Sequence, residues 1–248
     1  MATSIDGDVR SGDSIATCQA GYQGRAHRLV HLDHIVIATT DLGVSARRLA
    51  DSTGLAAVKG GVHDGLGTQN YIVPLGRGYL ELVAVHDSDL ARDNPFGRLV
   101  LSALAGADEA FAGWAVAVTA DELSARSQQV ALPIGRLTRE GVGVHHLGMT
   151  RAVESPGLPF LLARDAGNKD PGRLAAAHTV RPRGVRVLSV AESQSDLESW
   201  LMTGVGVDNP ELPVVCVASG RGITQVDVET DEGTVVLLHA QPTAGRRR

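Results

Sequence analysis

A strand–helix–strand–strand–strand pattern recurs along this chain, and it limits the possible folds more than any other feature. Leu32 to Thr39 is a run rich in β-branched residues, long enough for a buried strand. Asp41 then offers a helix N-cap, an amphipathic helix extends to about Asp51, and Gly54 stops it. Ala56–Lys59 reads as a short strand. Thr68–Leu75 and Tyr79–Val85 read as two more, joined by the hairpin turn Gly76-Arg77-Gly78. The same order returns near the C-terminus, with strands at Val185–Val190, Val214–Val217, Ile223–Glu229 and Thr234–His239 and a helix starting at Asp196. A constant offset of 155 places Asp41 on Asp196, Gly67 on Gly222 and Gly78 on Gly233, so the first and last units are expected to superpose. A fainter copy lies between them, with strands at Trp114–Thr119, Val142–Met149 and Pro159–Ala163 and a helix at Asp121–Val130. The expectation is an α+β domain over 29–240, built from β-α-β-β-β modules at about 30–90, 111–165 and 184–240. Their mixed sheets curl around a cavity, with helices outside.

Composition narrows the partners. With 43% hydrophobic and 21% charged residues over 248 positions, the chain has material for a core without staples. A formal net charge of −5 lacks the basic excess of a nucleic-acid binder, and no apolar run approaches the ~18 residues of a membrane span. Cys18 and Cys216, with no CxxC pair, exclude a disulfide scaffold and a Cys-rich zinc site and fit a reducing, cytoplasmic location. Residues 1–28 are polar and Gly-rich, without a secretory h-region, and are expected to form a disordered extension; 241–248 reads as a frayed tail. Lys59 and Lys169 are the chain's two lysines, a composition bias from which no function is read.

Two polar residues interrupt apolar strands: His34 in the first and Glu81 in the fourth. A buried carboxylate needs a partner or it protonates, so Glu81 calls for a metal ion, another cation or an Arg such as Arg77. His145 and His146 are adjacent, so on a strand at most one points inward; His178 reads as a solvated linker residue. His27, His31 and His34 have helical ligand spacing, but on a β-patterned run His31 and His34 point opposite ways. No GxSxG elbow, phosphate loop or dinucleotide fingerprint occurs, and Trp114 and Trp200 read as core.

The strings LDHIVIATTDL, HDGLGTQNYIVPLG and GYLELVAV resemble the glyoxalase-like branch of the vicinal oxygen chelate superfamily. The likeness is good over about 30–90, looser over GWAVAVTADEL and PFLL, and returns as a module shape over 184–240. It implies that a module's first and last strands lie side by side, so that His34 and Glu81 ligate a divalent metal, with Fe, Mn, Ni and Zn all open. His63, in the HDGLGTQN string, is implied as a third ligand or a proton-transfer group. The metal would act as a Lewis acid on a small carbonyl or vicinal-oxygen compound, with isomerase, lyase and dioxygenase all open. A homodimer belongs to the same reading. A complete site of this type draws ligands from two modules. The 155 offset gives Ser189 and Val236 as counterparts of His34 and Glu81, and an offset of 80 gives Trp114 and Leu161. None is a good ligand, so the alternative is a non-catalytic binding or sequestering protein with a degenerate metal site.

Overall fold

The computed structural model describes residues 30–139, 142–203 and 211–238. The expectations for 1–28, 241–248 and His27 lie outside the described residues. β1 (His31–Thr39) leads into α1 (Leu42–Thr53), where Asp41 accepts a hydrogen bond from the Val44 N–H and left-handed Gly54 ends the helix. β2 (Val58–Val62), β3 (Thr68–Pro74) and β4 (Tyr79–Val85) follow, then α2 (Ser88–Asp93) and α3 (Pro95–Ala103). The next segment comprises β5 (Glu109–Ala117), α4 (Ala120–Val130), β6 (Gly135–Arg139), β7 (Val142–Leu147), α5 (Met149–Glu154) and β8 (Phe160–Arg164). A 3₁₀ turn (Pro171–Arg173) precedes β9 (Pro182–Ala191), α6 (Gln194–Leu201), β10 (Val214–Cys216), β11 (Gly222–Thr230) and β12 (Gly233–Leu238).

Eight strands form one curled mixed sheet in the order β2-β3-β4-β1-β5-β8-β7-β6. Read outward from the antiparallel β1–β5 seam, both halves are the same: β1 runs parallel to β4, and β5 parallel to β8. The middle segment is therefore the structural repeat of the first, completed by β6, which the sequence pattern did not show. The last segment keeps the β-α-β-β-β order but pairs differently. Its sheet runs β10-β9-β11-β12, with the first strand between the second and third rather than beside the last. The expected superposition on the 155 offset is thus corrected. Gly67, Gly78, Gly222 and Gly233 all have positive φ, a demand of tight turns that many topologies share. Helix α6 is capped by Ser193, and Asp196 sits inside its first turn.

Alternation along the central strands separates two apolar layers. On the outer face Ile35, Leu80, Trp114 and Leu161 pack with α1, α4, α6 and the second sheet. On the other face Val36, Val83, Ala115 and Leu162 pack against Phe96 and Leu99 of α3 and Met149 of α5. Helices α1 and α4 lie outside as expected, whereas α3 and α5 cover part of the cavity face. Among the described residues no helix is long and apolar enough to cross a membrane.

Candidate functional site

Parallel pairing of β1 with β4 sets His34 opposite Tyr79 and Val36 opposite Glu81, so His34 and Glu81 are diagonal neighbours on the cavity face. His34 Nε2 lies 3.4 Å from Glu81 Oε2, and His63 Nε2 lies 3.4 Å from Glu81 Oε1. The carboxylate therefore presents one oxygen to each imidazole. His63 is pinned: its backbone N–H donates to the Thr68 carbonyl (2.9 Å), and its ring Nδ1 lies 2.8 Å from Thr68 Oγ1. Positive φ at Gly65 and Gly67 makes the intervening turn. Asn70 completes the cluster. Its Oδ1 accepts from the Gly61 N–H (2.9 Å), which aims its amide Nδ2 at Glu81 Oε1, to which it donates. Arg77, the alternative partner for Glu81, donates instead to the Arg183 carbonyl.

Behind His34 stands a pair that sequence reasoning missed. Asp33 Oδ1 lies 2.6 Å from His34 Nδ1, and Arg164 of β8 forms a two-pronged ion pair with Asp33 while reaching the Tyr79 hydroxyl at 3.3 Å. The Tyr79 ring stacks on His34 at 4.8 Å, Phe160 meets it edge-on, and Phe96 meets His63 edge-on. Burial alone would raise the Glu81 carboxyl. The His63 hydrogen bond, the imidazole charges and the Asn70 amide outweigh it and hold the group down at about 2. Asp33 is likewise held well below the carboxylate range, because Arg164 and His34 outweigh its burial. Both carboxylates are ionised at neutral pH, so His34 donates from Nδ1 to Asp33 and turns Nε2 toward Glu81.

Two imidazoles and a carboxylate are the donor types a borderline divalent metal accepts. They do not form a metal-binding group as arranged. The imidazoles approach separate oxygens of the carboxylate, and among the described residues no set of three or more His, Cys, Asp or Glu side chains is disposed to hold a metal ion. The second half-sheet adds no ligand. Its β5–β8 register pairs Ala115 with Phe160, matching His34 with Tyr79 at an offset of 81. The counterparts of His34 and Glu81 are then Ala115 and Leu162, on the cavity face. The offset of 80 pointed to Trp114 and Leu161, which lie on the outer face. With a side-chain period of two, one residue of slip reverses the face.

His34, His63 and Glu81 line a cavity of about 480 Å³, a volume suited to a small molecule, with Ile72, Phe96 and Leu162 among its apolar walls. His145 and His146 do not line it. His145 Nε2 lies 3.0 Å from Asp165, and His146 is buried with no partner for Nδ1 among the described residues. His178 is half-buried rather than solvated, and its Nδ1 accepts from the Ala56 N–H (2.9 Å). Both tryptophans are buried in the core, each donating to a carbonyl.

Fold and site together define a protein of the vicinal oxygen chelate type. The chain belongs to the glyoxalase-like domain family, whose model matches residues 32–205. Among solved structures, a hypothetical protein from Staphylococcus aureus is similar with a TM-score of 0.53, over 86% of this chain and 87% of its own, at 13% identity. Methylmalonyl-CoA epimerase from Mycobacterium tuberculosis has 17% identity and a TM-score of 0.43, over 59% of this chain and 95% of its own. The Streptomyces coelicolor epimerase in complex with 2-nitronate-propionyl-CoA has 18% identity and a TM-score of 0.40, over 56% of this chain and 97% of its own. Likeness at these identities concerns the fold alone. Among curated proteins none matches this chain.

Proposed function

We propose that this protein is an isomerase or lyase that moves a proton on a small carbonyl compound bound in the cavity, with His63 as the proton-transfer group. The observation that supports this reading is the buried Glu81 carboxylate, ionised between two imidazoles on the wall of a cavity. In the tautomer whose Nδ1–H donates to Thr68 Oγ1, His63 has a free lone pair at Nε2 and there takes a proton from the carbon next to the carbonyl. The C–H electron pair moves into the enolate, and Glu81 stabilises the imidazolium so formed. Asn70 keeps the carboxylate in place. Returning the proton to another face or atom completes an isomerisation; losing a neighbouring group completes an elimination. No step passes through a metal ion. A second reading, a non-catalytic small-molecule binder, is favoured by Ala115 and Leu162 standing where a second half-site would need ligands. Deuterium incorporation from heavy water into 2-oxo acids separates the two. Exchange by the wild type that His63→Gln and Glu81→Gln abolish supports the enzyme, and ligand binding without exchange supports the binder.

A further inference from the structure

Both lysines of the chain, Lys59 and Lys169, line the cavity that holds His34, His63 and Glu81. They come from distant segments: Lys59 from β2 at one edge of the large sheet, Lys169 from the crossover between β8 and β9. Both are exposed, and among the described residues neither makes an ion pair. Their backbones are firmly placed. Gly60 follows Lys59, and a Cβ there would fall 1.9 Å from Asn70 Oδ1, so β2 lies directly against the side chain that holds Glu81. Lys169 follows Asn168, whose side chain donates to the Gly143 carbonyl (2.9 Å). Just beyond it, Gly172 packs on the backbone of Gly78 and accepts from the Gly76 N–H (2.8 Å). The crossover is thus tied to both halves of the sheet.

Charge on the cavity wall is unbalanced. Its other charged side chains are Arg164, neutralised by Asp33, and Glu81, faced by two imidazoles. Lys59 and Lys169, for which no ion pair exists among the described residues, leave the cavity wall with an excess of positive charge on a chain whose formal net charge is −5. We propose that Lys59 and Lys169 receive an oxyanion, carboxylate or phosphate, carried by the substrate, so that the substrate class is an anionic carbonyl compound. Ammonium groups act as mobile point charges and fit either oxyanion, and a positive cavity wall concentrates anions near the site. This inference rests on the proton-transfer reading for the reacting end of the molecule.

The test is titration calorimetry of the full chain with inorganic phosphate, succinate and 2-oxoglutarate, with uncharged succinamide as control. At least one oxyanion binds at millimolar concentration and succinamide does not. The combined Lys59→Gln and Lys169→Gln variant, with unchanged melting temperature, weakens that binding about tenfold or more, and the corresponding Arg variant restores it. Added salt weakens wild-type binding. Preference for phosphate or for succinate identifies the oxyanion, and either result supports the proposal. Succinamide binding as tightly as succinate, wild-type affinity in the Gln variant, or no oxyanion binding at all overturns it. Lysine-dependent binding without deuterium exchange upholds this proposal and removes the proton-transfer reading. Exchange into 2-oxoglutarate with an unchanged KM in the Gln variant removes this proposal alone.

Discussion

Asp33 and His34 are consecutive residues of one strand, yet Asp33 Oδ1 lies 2.6 Å from His34 Nδ1 and both are buried. Regular alternation would send them to opposite faces. The β1–β5 register shifts between Leu32 and His34, and this irregularity accompanies their contact. Arg164 closes the arrangement from the other half-sheet. Removing one charge from a buried pair leaves the other uncompensated, so Asp33→Asn should cost roughly 3–5 kcal/mol. Urea denaturation measures this, and a loss below about 1 kcal/mol would show that solvent or relaxation compensates Arg164.

Acid stability should fall in two separable windows. His146 is pushed down from 6.5 to about 4 by burial first, with the His145 charge adding to it. The unfolded chain then binds more protons here, so stability drops as pH falls from about 6.5 to about 4. Glu81 is lowered from 4.5 to about 2, so its contribution is present above about 4.5 and is lost as pH falls toward 2. In pH-dependent denaturation, His146→Gln should flatten the first slope and Glu81→Gln the second. A wild-type slope retained in either variant would contradict that assignment.

Gly60→Ala should damage the site while leaving the fold standing. Its φ is not positive, but the added Cβ would fall 1.9 Å from Asn70 Oδ1 and 2.8 Å from the Asn70 backbone oxygen, so the Asn70 side chain and the local β2–β3 contact must both shift. Displacing Asn70 frees Glu81 from its amide donor. We expect a cost of about 1–3 kcal/mol and a fall in kcat larger than any change in KM. Equal kcat in the variant would show that Asn70 does not position Glu81.

The first module was legible because its signals are local: the apolar run of β1, the Asp41 cap, the Gly54 stop and the β3–β4 turn all lie within a few residues of what they control. The meeting of His34, His63 and Glu81 followed from a resemblance to a known family, and the structure brings the three together. Asp33 and Arg164 were invisible because their contact depends on strand order across the β1–β5 seam and on a local irregularity. The middle repeat looked faint for the same reason. Parallel pairing of β5 with β8 is a long-range choice, whereas turn glycines, which drew attention to the last segment, recur in many topologies. The counterparts Ala115 and Leu162 were missed by one residue of register.

The most direct test of proton transfer by His63 without a metal is deuterium incorporation into 2-oxo acids by protein dialysed against a chelator, read by NMR. Exchange should persist after chelation, at the rate of untreated protein, and disappear in His63→Gln. Exchange that chelation abolishes and Mn²⁺ or Zn²⁺ restores, or that survives in His63→Gln, would contradict the account.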